Sequence, residues 1–244
     1  MEIHTVLNSG VGTWAQKTEQ NHLNSDTYAS AYEVLHIKEG EYLFREGDAP
    51  KGLYYVQSGC VKIYVNRQQT RGRTTSPEYV TKLVSAGEYF GYKALIRGTS
   101  AYCNAKAAKP SVIWLYPKEL ILRSLEQSGP LLKQLLQQSV ADLDMYETTN
   151  QFHYLASVQE RIAYQLVVLA DRFGVPLANG SVSLNLKLTR NELAQMASTI
   201  NESLSRHLTE FKNENLIDLN GKEILIKDGE GLLNKSGPVA GHAG

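Results

Sequence analysis

The chain has 244 residues, with 25 Lys and Arg against 25 Asp and Glu, so its formal net charge is zero. That length suits one large or two modest domains, and a charge balance kept even in the C-terminal third excludes indiscriminate binding to a polyanion while leaving room for a few placed cations. Two cysteines are too few for a secreted disulfide scaffold, no apolar run approaches the length of a membrane span, and the opening MEIHTVLNSGVGTW lacks a signal pattern; the expectation is a soluble cytoplasmic protein with no membrane partner.

Residues 1–30 are polar and weakly patterned, and read as a loosely packed N-terminal arm. From Leu35 the texture changes to short alternating runs: Glu41 to Phe44, Gly52 to Val56, Cys60 to Val65, Tyr79 to Val84 and Ser111 to Tyr116, the last closed by Pro117. Glycines at 40, 47, 52, 59, 87 and 91 are assigned to the positive-φ corners between them. Many short strands with regular turn signals predict a β-sandwich or barrel, with a long hairpin loop over Asn66 to Glu78. Cys60 and Cys103 read as small core residues, able to pair only if their Cα atoms come within about 7 Å.

From Pro130 the period becomes helical. Leu132, Leu136, Ser139, Leu143, Tyr146, Asn150 and His153 follow steps of four and three, a heptad seam. Leu131, Leu135 and Val140 broaden it, so one side is expected to pack on the β-domain and the other on a partner helix, with the polar Asn150 fixing register. The alternative is a long helix buried against its own domain. Ser157 and Glu160 form a capping box for a helix through Val158, Ile162, Leu166, Leu169 and Phe173, stopped by Gly174. The hinge between domains is expected near Phe152 to Ser157.

Leu188 to Leu219 carries the densest signal. Thr189 and Glu192 make a second capping box, and Leu193, Met196 and Ala197 give that helix an apolar face. Thr199 is the expected cap of the next helix, with Glu202 three residues on. Leu204, Leu208 and Phe211 at i, i+4 and i+7 form its buried stripe. Its other face carries Asn201, Glu202, Ser205, Arg206 and Thr209, short or forked polar side chains of the kind that read base edges. Leu216 to Leu219, Asn220-Gly221 and Ile224 to Ile226 then read as a hairpin with a type I′ turn. Helix, turn, helix and hairpin together are a winged helix-turn-helix; the competing reading is a helical packing unit without nucleic acid.

The pattern Glu202-Ser203-Leu204-Ser205-Arg206 resembles the recognition helix of the Crp–Fnr family of bacterial transcription regulators. Gly40 to Asp48 and Tyr54 to Lys62 resemble the opening strands of that family's sensor domain, so the resemblance runs from about Leu35 to Lys227. It implies an α+β protein. The divisions are an arm (1–30), a double-stranded β-helix or jelly-roll effector-type domain (31–128), a dimerisation helix (129–155), a winged helix-turn-helix (156–235) and a tail (236–244). The implied partners are double-stranded DNA, a second copy of the chain and RNA polymerase. Arg206 is expected to be bidentate to a guanine and Glu202 to accept from a cytosine amino group, with Ser205 beside them. Asn201 stands where readers of TGTGA half-sites carry Arg, which points to a TTGA-type half-site. Thr199, Arg190 and the wing residue Lys222 complete the candidate DNA surface, and Leu132, Leu136, Leu143, Tyr146 and Asn150 the candidate dimer interface.

The sensor region departs from the family's cyclic-nucleotide pattern. Tyr92 stands where a ribose-binding Glu belongs and Thr99 where a phosphate-binding Arg belongs, which argues against cAMP. A pocket shifted in register would use Tyr92, Lys93, Arg97, Thr99 and Ser100. No cofactor or metal is expected: an iron–sulfur cluster needs about four thiolates, and His36 reads as a surface residue rather than a haem ligand. No Gly-x-Ser-x-Gly, His-Glu-x-x-His or Walker loop is present, so no enzyme is expected. Two further readings stay open. One is a ligand sensor whose degenerate DNA-binding domain acts by protein contact; the other is a cyclic-nucleotide-dependent activator using the shifted pocket.

Overall fold

The computed structural model describes residues 31–66, 78–127, 129–184 and 186–237, which fall into two compact units divided between Leu143 and Asp144. The expected arm and most of the Asn66 to Glu78 loop lie outside the described residues.

The first unit is an antiparallel roll. Its strands are β1 (Glu33–Ile37), β2 (Tyr42–Phe44), β3 (Gly52–Asn66), β4 (Glu78–Ser85), β5 (Tyr89–Phe90) and β6 (Asn104–Pro117). The order is β1-β6-β3-β4, with β2 on β6 and β5 on β3. The run Leu53-Tyr54-Tyr55-Val56 does not alternate in polarity because β3 is covered on both faces, as continuous apolar strands are. Tyr54 and Val56 pack inside the roll with Val61, Val84, Phe90 and Ile113. Leu53 and Tyr55 face the other way, into a cluster with Tyr89, Tyr92, Leu95, Tyr116, Ile121, Leu131 and Leu135. In that second cluster the strand residues meet three helices: α1 (Tyr92–Arg97), α2 (Lys118–Gln127) and the start of α3 (Gly129–Leu155).

Two details differ from the sequence reading. Gly52 to Val56 and Cys60 to Val65 are one strand, with shifted pairing to β6 around Ser58 and Gly59. Gly40, Gly47, Gly59, Gly87 and Gly91 do have positive φ, but Gly52 does not. Its lack of a side chain serves close approach instead, since a Cβ there would lie 1.9 Å from the Tyr116 carbonyl oxygen.

Along α3, Leu131 and Leu135 are fully buried, whereas Leu132, Leu136 and Leu143 are each more than half exposed. Val140 and Tyr146 share that open side, and Asn150 is exposed too. The helix therefore has one apolar face committed to the roll and a second that is exposed among the described residues.

In the second unit, α4 (Val158–Phe173) starts on Ser157 with the expected reciprocal capping box to Glu160. Phe152, near the end of α3, stacks on Tyr164 at 4.1 Å between ring centroids. Gly174 ends α4 with extended backbone, φ −70, rather than as a left-handed stop. A Cβ there would meet the Ala170 carbonyl and Val182, so steric room explains the glycine. Strands β7 (Gly174–Pro176), β8 (Val182–Leu184), β9 (Ile217–Asn220) and β10 (Glu223–Ile226) form a sheet in the order β7-β8-β10-β9, and α5 (Arg190–Met196), α6 (Asn201–Asn213) and α7 (Gly229–Lys235) complete the unit.

Candidate nucleic-acid interface

Helix α5 begins at Thr189, whose hydroxyl and amide are both tied to the Glu192 side chain, and Glu192 is itself nearly buried. A carboxylate held by donors at a helix N-terminus is stabilised by the local dipole, so this box sets the start of the helix firmly. Leu193, Ala194 and Ala197 turn inward.

The turn to α6 is built differently from the expected one. Thr199 is not the cap: Ile200 is, and it makes no side-chain capping bond. The Thr199 amide instead donates back to the Ala194 carbonyl at 2.8 Å, and the Ile200 carbonyl takes the first helical bond, from Leu204. The reversal is carried by Ser198, at φ 50. A left-handed Cβ costs about 1–2 kcal/mol, against roughly 0.4–1 kcal/mol that glycine adds to unfolded-chain entropy. Ser198→Gly is therefore expected to raise the stability of this unit by up to ~1 kcal/mol, read as an increase of up to about 4–8 °C in its melting temperature. A lower melting temperature would show that the serine is not strained there.

One side chain that the sequence reading passed over fixes this turn. Arg161, in the first turn of α4, donates from Nε to the Ala197 carbonyl at 3.0 Å, from one terminal nitrogen to Ser198 at 3.1 Å, and from the other to Ala156 at 2.8 Å. A planar guanidinium can serve three acceptors at once. It joins the corner between α3 and α4 to the turn between α5 and α6.

On α6, Leu204, Leu208 and Phe211 are buried to 1% exposure or less, as their spacing predicts. Asn201, Glu202, Ser205, Arg206 and Thr209 are exposed. They lie along one face of a rigid helix, the arrangement of a recognition helix. Arg206 is loosely held: Nε is 3.9 Å from Glu210 and a terminal nitrogen is 3.4 Å from the His207 ring, while Glu210 makes its shorter contact, 2.7 Å, to His207. A guanidinium tethered this weakly is free to meet a planar pair of acceptors. Lys212 pairs with Asp218 at 2.9 Å, tying the end of α6 to β9.

The hairpin is present, but its turn sits one residue later than predicted. Asn220 pairs with Glu223, which leaves Gly221-Lys222 as the two-residue loop. Of these only Gly221 has positive φ, the pattern of a type II′ rather than a type I′ turn. Lys222 is thus at the exposed tip. Arg190 is half-buried and donates to the Gly221 carbonyl at 3.2 Å, and burial lowers its pKa; it braces the tip as well as adding charge to it. Thr199 is half-buried beside the helix start.

The candidate effector residues do not gather into one site. Tyr92 is buried and its hydroxyl donates to Asp142 of α3 at 2.7 Å, and Lys93 lies 3.6 Å from the same carboxylate. Arg97, Thr99 and Ser100 are exposed at and beyond the other end of α1. Cys60 and Cys103 are both free and buried, and burial pushes the Cys103 thiol up to about 11, which keeps it protonated and unreactive. His36 is exposed on β1. Among the described residues no cluster of three or more metal-binding side chains occurs, and no helix is long and apolar enough to cross a membrane.

Residues 34–128 match the cyclic nucleotide-binding domain family, and residues 160–235 match the Crp-like helix-turn-helix domain family. Over 195 residues the chain is 29% identical to Electron transport regulator A of Shewanella oneidensis, covering 79% of this chain and 74% of the relative. It is 26% identical over 206 residues to the Fumarate and nitrate reduction regulatory protein of Escherichia coli K12, covering 82% and 77%. Over 203 residues it is 29% identical to the CRP-like cAMP-activated global transcriptional regulator of Mycobacterium tuberculosis H37Rv, covering 81% and 85%. The fold is similar to that of FixK2 from Bradyrhizobium japonicum, with a TM-score of 0.70 at 16% identity over 84% of this chain and 98% of that one.

Proposed function

This chain belongs to the Crp/Fnr family of transcription regulators, with a helix-turn-helix that binds DNA, and from that premise we propose that it works as a homodimer reading a palindromic TTGA-type site without cAMP. The exposed polar face of α6 carries this reading, because Glu202, Ser205 and Arg206 stand outward from a buried Leu204-Leu208-Phe211 spine. Arg206 takes a guanine and Glu202 a cytosine amino group, with Ser205 and Asn201 on neighbouring positions. Arg190, Lys222 and Thr199 at the wing and helix start contact phosphates, which position the unit without specifying sequence.

Dimerisation is supported by the stripe of Leu132, Leu136, Leu143 and Tyr146 on α3, four large apolar side chains between 43% and 61% exposed. Paired along that stripe, two recognition helices about 34 Å apart enter successive major grooves. Independence from cAMP is supported by Tyr92, which is engaged by Asp142 and offers no carboxylate to a ribose, and by exposed Thr99, which offers no cation to a phosphate. RNA polymerase is the partner through which such a dimer acts.

The test is fluorescence anisotropy of ligand-free protein on a TTGA-N6-TCAA duplex and on a scrambled duplex through a salt series. Preference for the palindrome that persists as salt rises is the expected result. Equal, salt-sensitive binding to both duplexes would reject the half-site or the effector independence, since phosphate contacts alone scale with counterion release.

A further inference from the structure

The side of α3 that packs on the roll ends in a charge. Leu131 and Leu135 are buried there, and continuing at helical spacing come Gln138 and then Asp142, whose side chain is only 7% exposed. A carboxylate removed from water this far must be paired and hydrogen-bonded. Its partners come almost entirely from the roll. Lys82 of β4, itself 8% exposed, meets Oδ1 at 2.5 Å, and Gln138 donates to the same oxygen at 3.2 Å. The Tyr92 hydroxyl donates to Oδ2 at 2.7 Å, with the Lys93 ammonium 3.6 Å from that oxygen. Burial alone would push the Asp142 carboxyl up, but Lys82, Tyr92 and Lys93 outweigh it and hold the group below the usual carboxylate range.

Seen from the roll, two ammonium groups and a phenol hydroxyl converge on one point, where α3 supplies the anion. Glu88 lies 3.7 Å from Lys82 but is also occupied by the Ser85 amide and hydroxyl. Asp142 is thus the carboxylate that Lys82 and Lys93 share, one on each oxygen. The donors stand on β4 and on the first turn of α1, after the Gly87 to Gly91 corner, so they report the shape of the roll, whereas the acceptor stands on the helix whose other face is open.

We propose that Lys82, Tyr92 and Lys93 form a carboxylate-binding site in the roll whose resident ligand is Asp142, so that α3 carries the sensor's effector covalently. This deepens the effector-independent reading and rests on it for its consequence in DNA binding. The roll needs no diffusible ligand to grip α3, and the class of small molecule able to replace the resident one is a small carboxylate.

The experiment uses the full chain with Asp142→Ala, titrated with formate against sodium chloride at matched ionic strength, and reads both thermal melting and anisotropy on the palindromic duplex. The variant is expected to melt below wild type and to bind DNA about tenfold more weakly, or ~1.4 kcal/mol. Formate should raise its melting temperature and recover binding, with no effect on wild type. A variant that melts and binds like wild type overturns the proposal, and so does formate that does no more than chloride. Asp142→Asn keeps the size and an acceptor for Tyr92, and covers the case in which the alanine variant does not fold. It should bind DNA more weakly than wild type, and equality with wild type would overturn the role of the charge. Melting needs no DNA, so stabilisation by formate together with failure of wild type on the duplex would reject the DNA reading and leave the site standing.

Discussion

Arg161→Met is expected to destabilise the C-terminal unit by ~2–4 kcal/mol, measured as a shift in its denaturant midpoint. Hydrogen bonds from a charged donor are worth about 1.5–3 kcal/mol each, and this guanidinium makes three to backbone carbonyls. The sum is not the expected loss, because carbonyls released at a partly open turn recover some bonding to water. Methionine keeps much of the aliphatic stem, so the difference isolates the polar contacts rather than the packing. Arg161→Lys should fall between, since one ammonium cannot reproduce a planar fork. DNA affinity is expected to fall further than stability alone explains, because the Ala197 and Ser198 carbonyls belong to the turn that aims α6. A methionine variant that unfolds at the wild-type midpoint would mean that the turn holds itself and the clamp is incidental.

Arg161 also shows where reading the sequence stopped. Its neighbours were legible: Ser157 and Glu160 satisfy each other across three residues, and the apolar positions of α4 follow from a local period. The acceptors of Arg161 lie 36 and 37 residues away in the case of Ala197 and Ser198, and no local pattern encodes that meeting. Asp142 is a different kind of miss. Leu131, Leu135, Gln138 and Asp142 share helical spacing, so the inward stripe was visible, but a polar residue on such a stripe is informative only once its partners on β4 and α1 are in place. Short elements failed for a third reason. Strand β8 is three residues long and gains its stability from pairing with β10, and α7 is seven residues capped by Asp228. At Ile200 the capping preference of Thr199 was overridden by the backbone bond from Thr199 to Ala194, and at Gly221 the strand register, set by Ile217 and Ile226 facing the core, moved the turn by one residue. The roll was legible as strands and glycines because short apolar runs and most of the positive-φ corners are local facts, although β3 is covered on both faces and does not alternate; its order β1-β6-β3-β4 is not local.

Arg206→Ala is expected to lower affinity for the palindrome by ~1–3 kcal/mol per half-site, roughly 5- to 150-fold, while binding to a scrambled duplex weakens far less. The side chain is 65% exposed and its link to Glu210 is 3.9 Å, so little internal energy is lost when it turns to a base. What it gains is two parallel bonds to the O6 and N7 of one guanine, which a lysine would not reproduce. Replacing that guanine by 7-deazaguanine removes the N7 acceptor, so the modified duplex should weaken wild type but add little to the loss already present in Arg206→Ala. Non-additivity of that kind is the signature of a direct contact. Independent, additive losses would place Arg206 on a phosphate instead, where its removal would lower the salt slope by about one and weaken every sequence alike. Glu210 then acquires a definite part. Because it makes the closer contact to His207, the loss of Arg206 leaves it paired, and Glu210→Gln should change palindrome affinity much less than Arg206→Ala does.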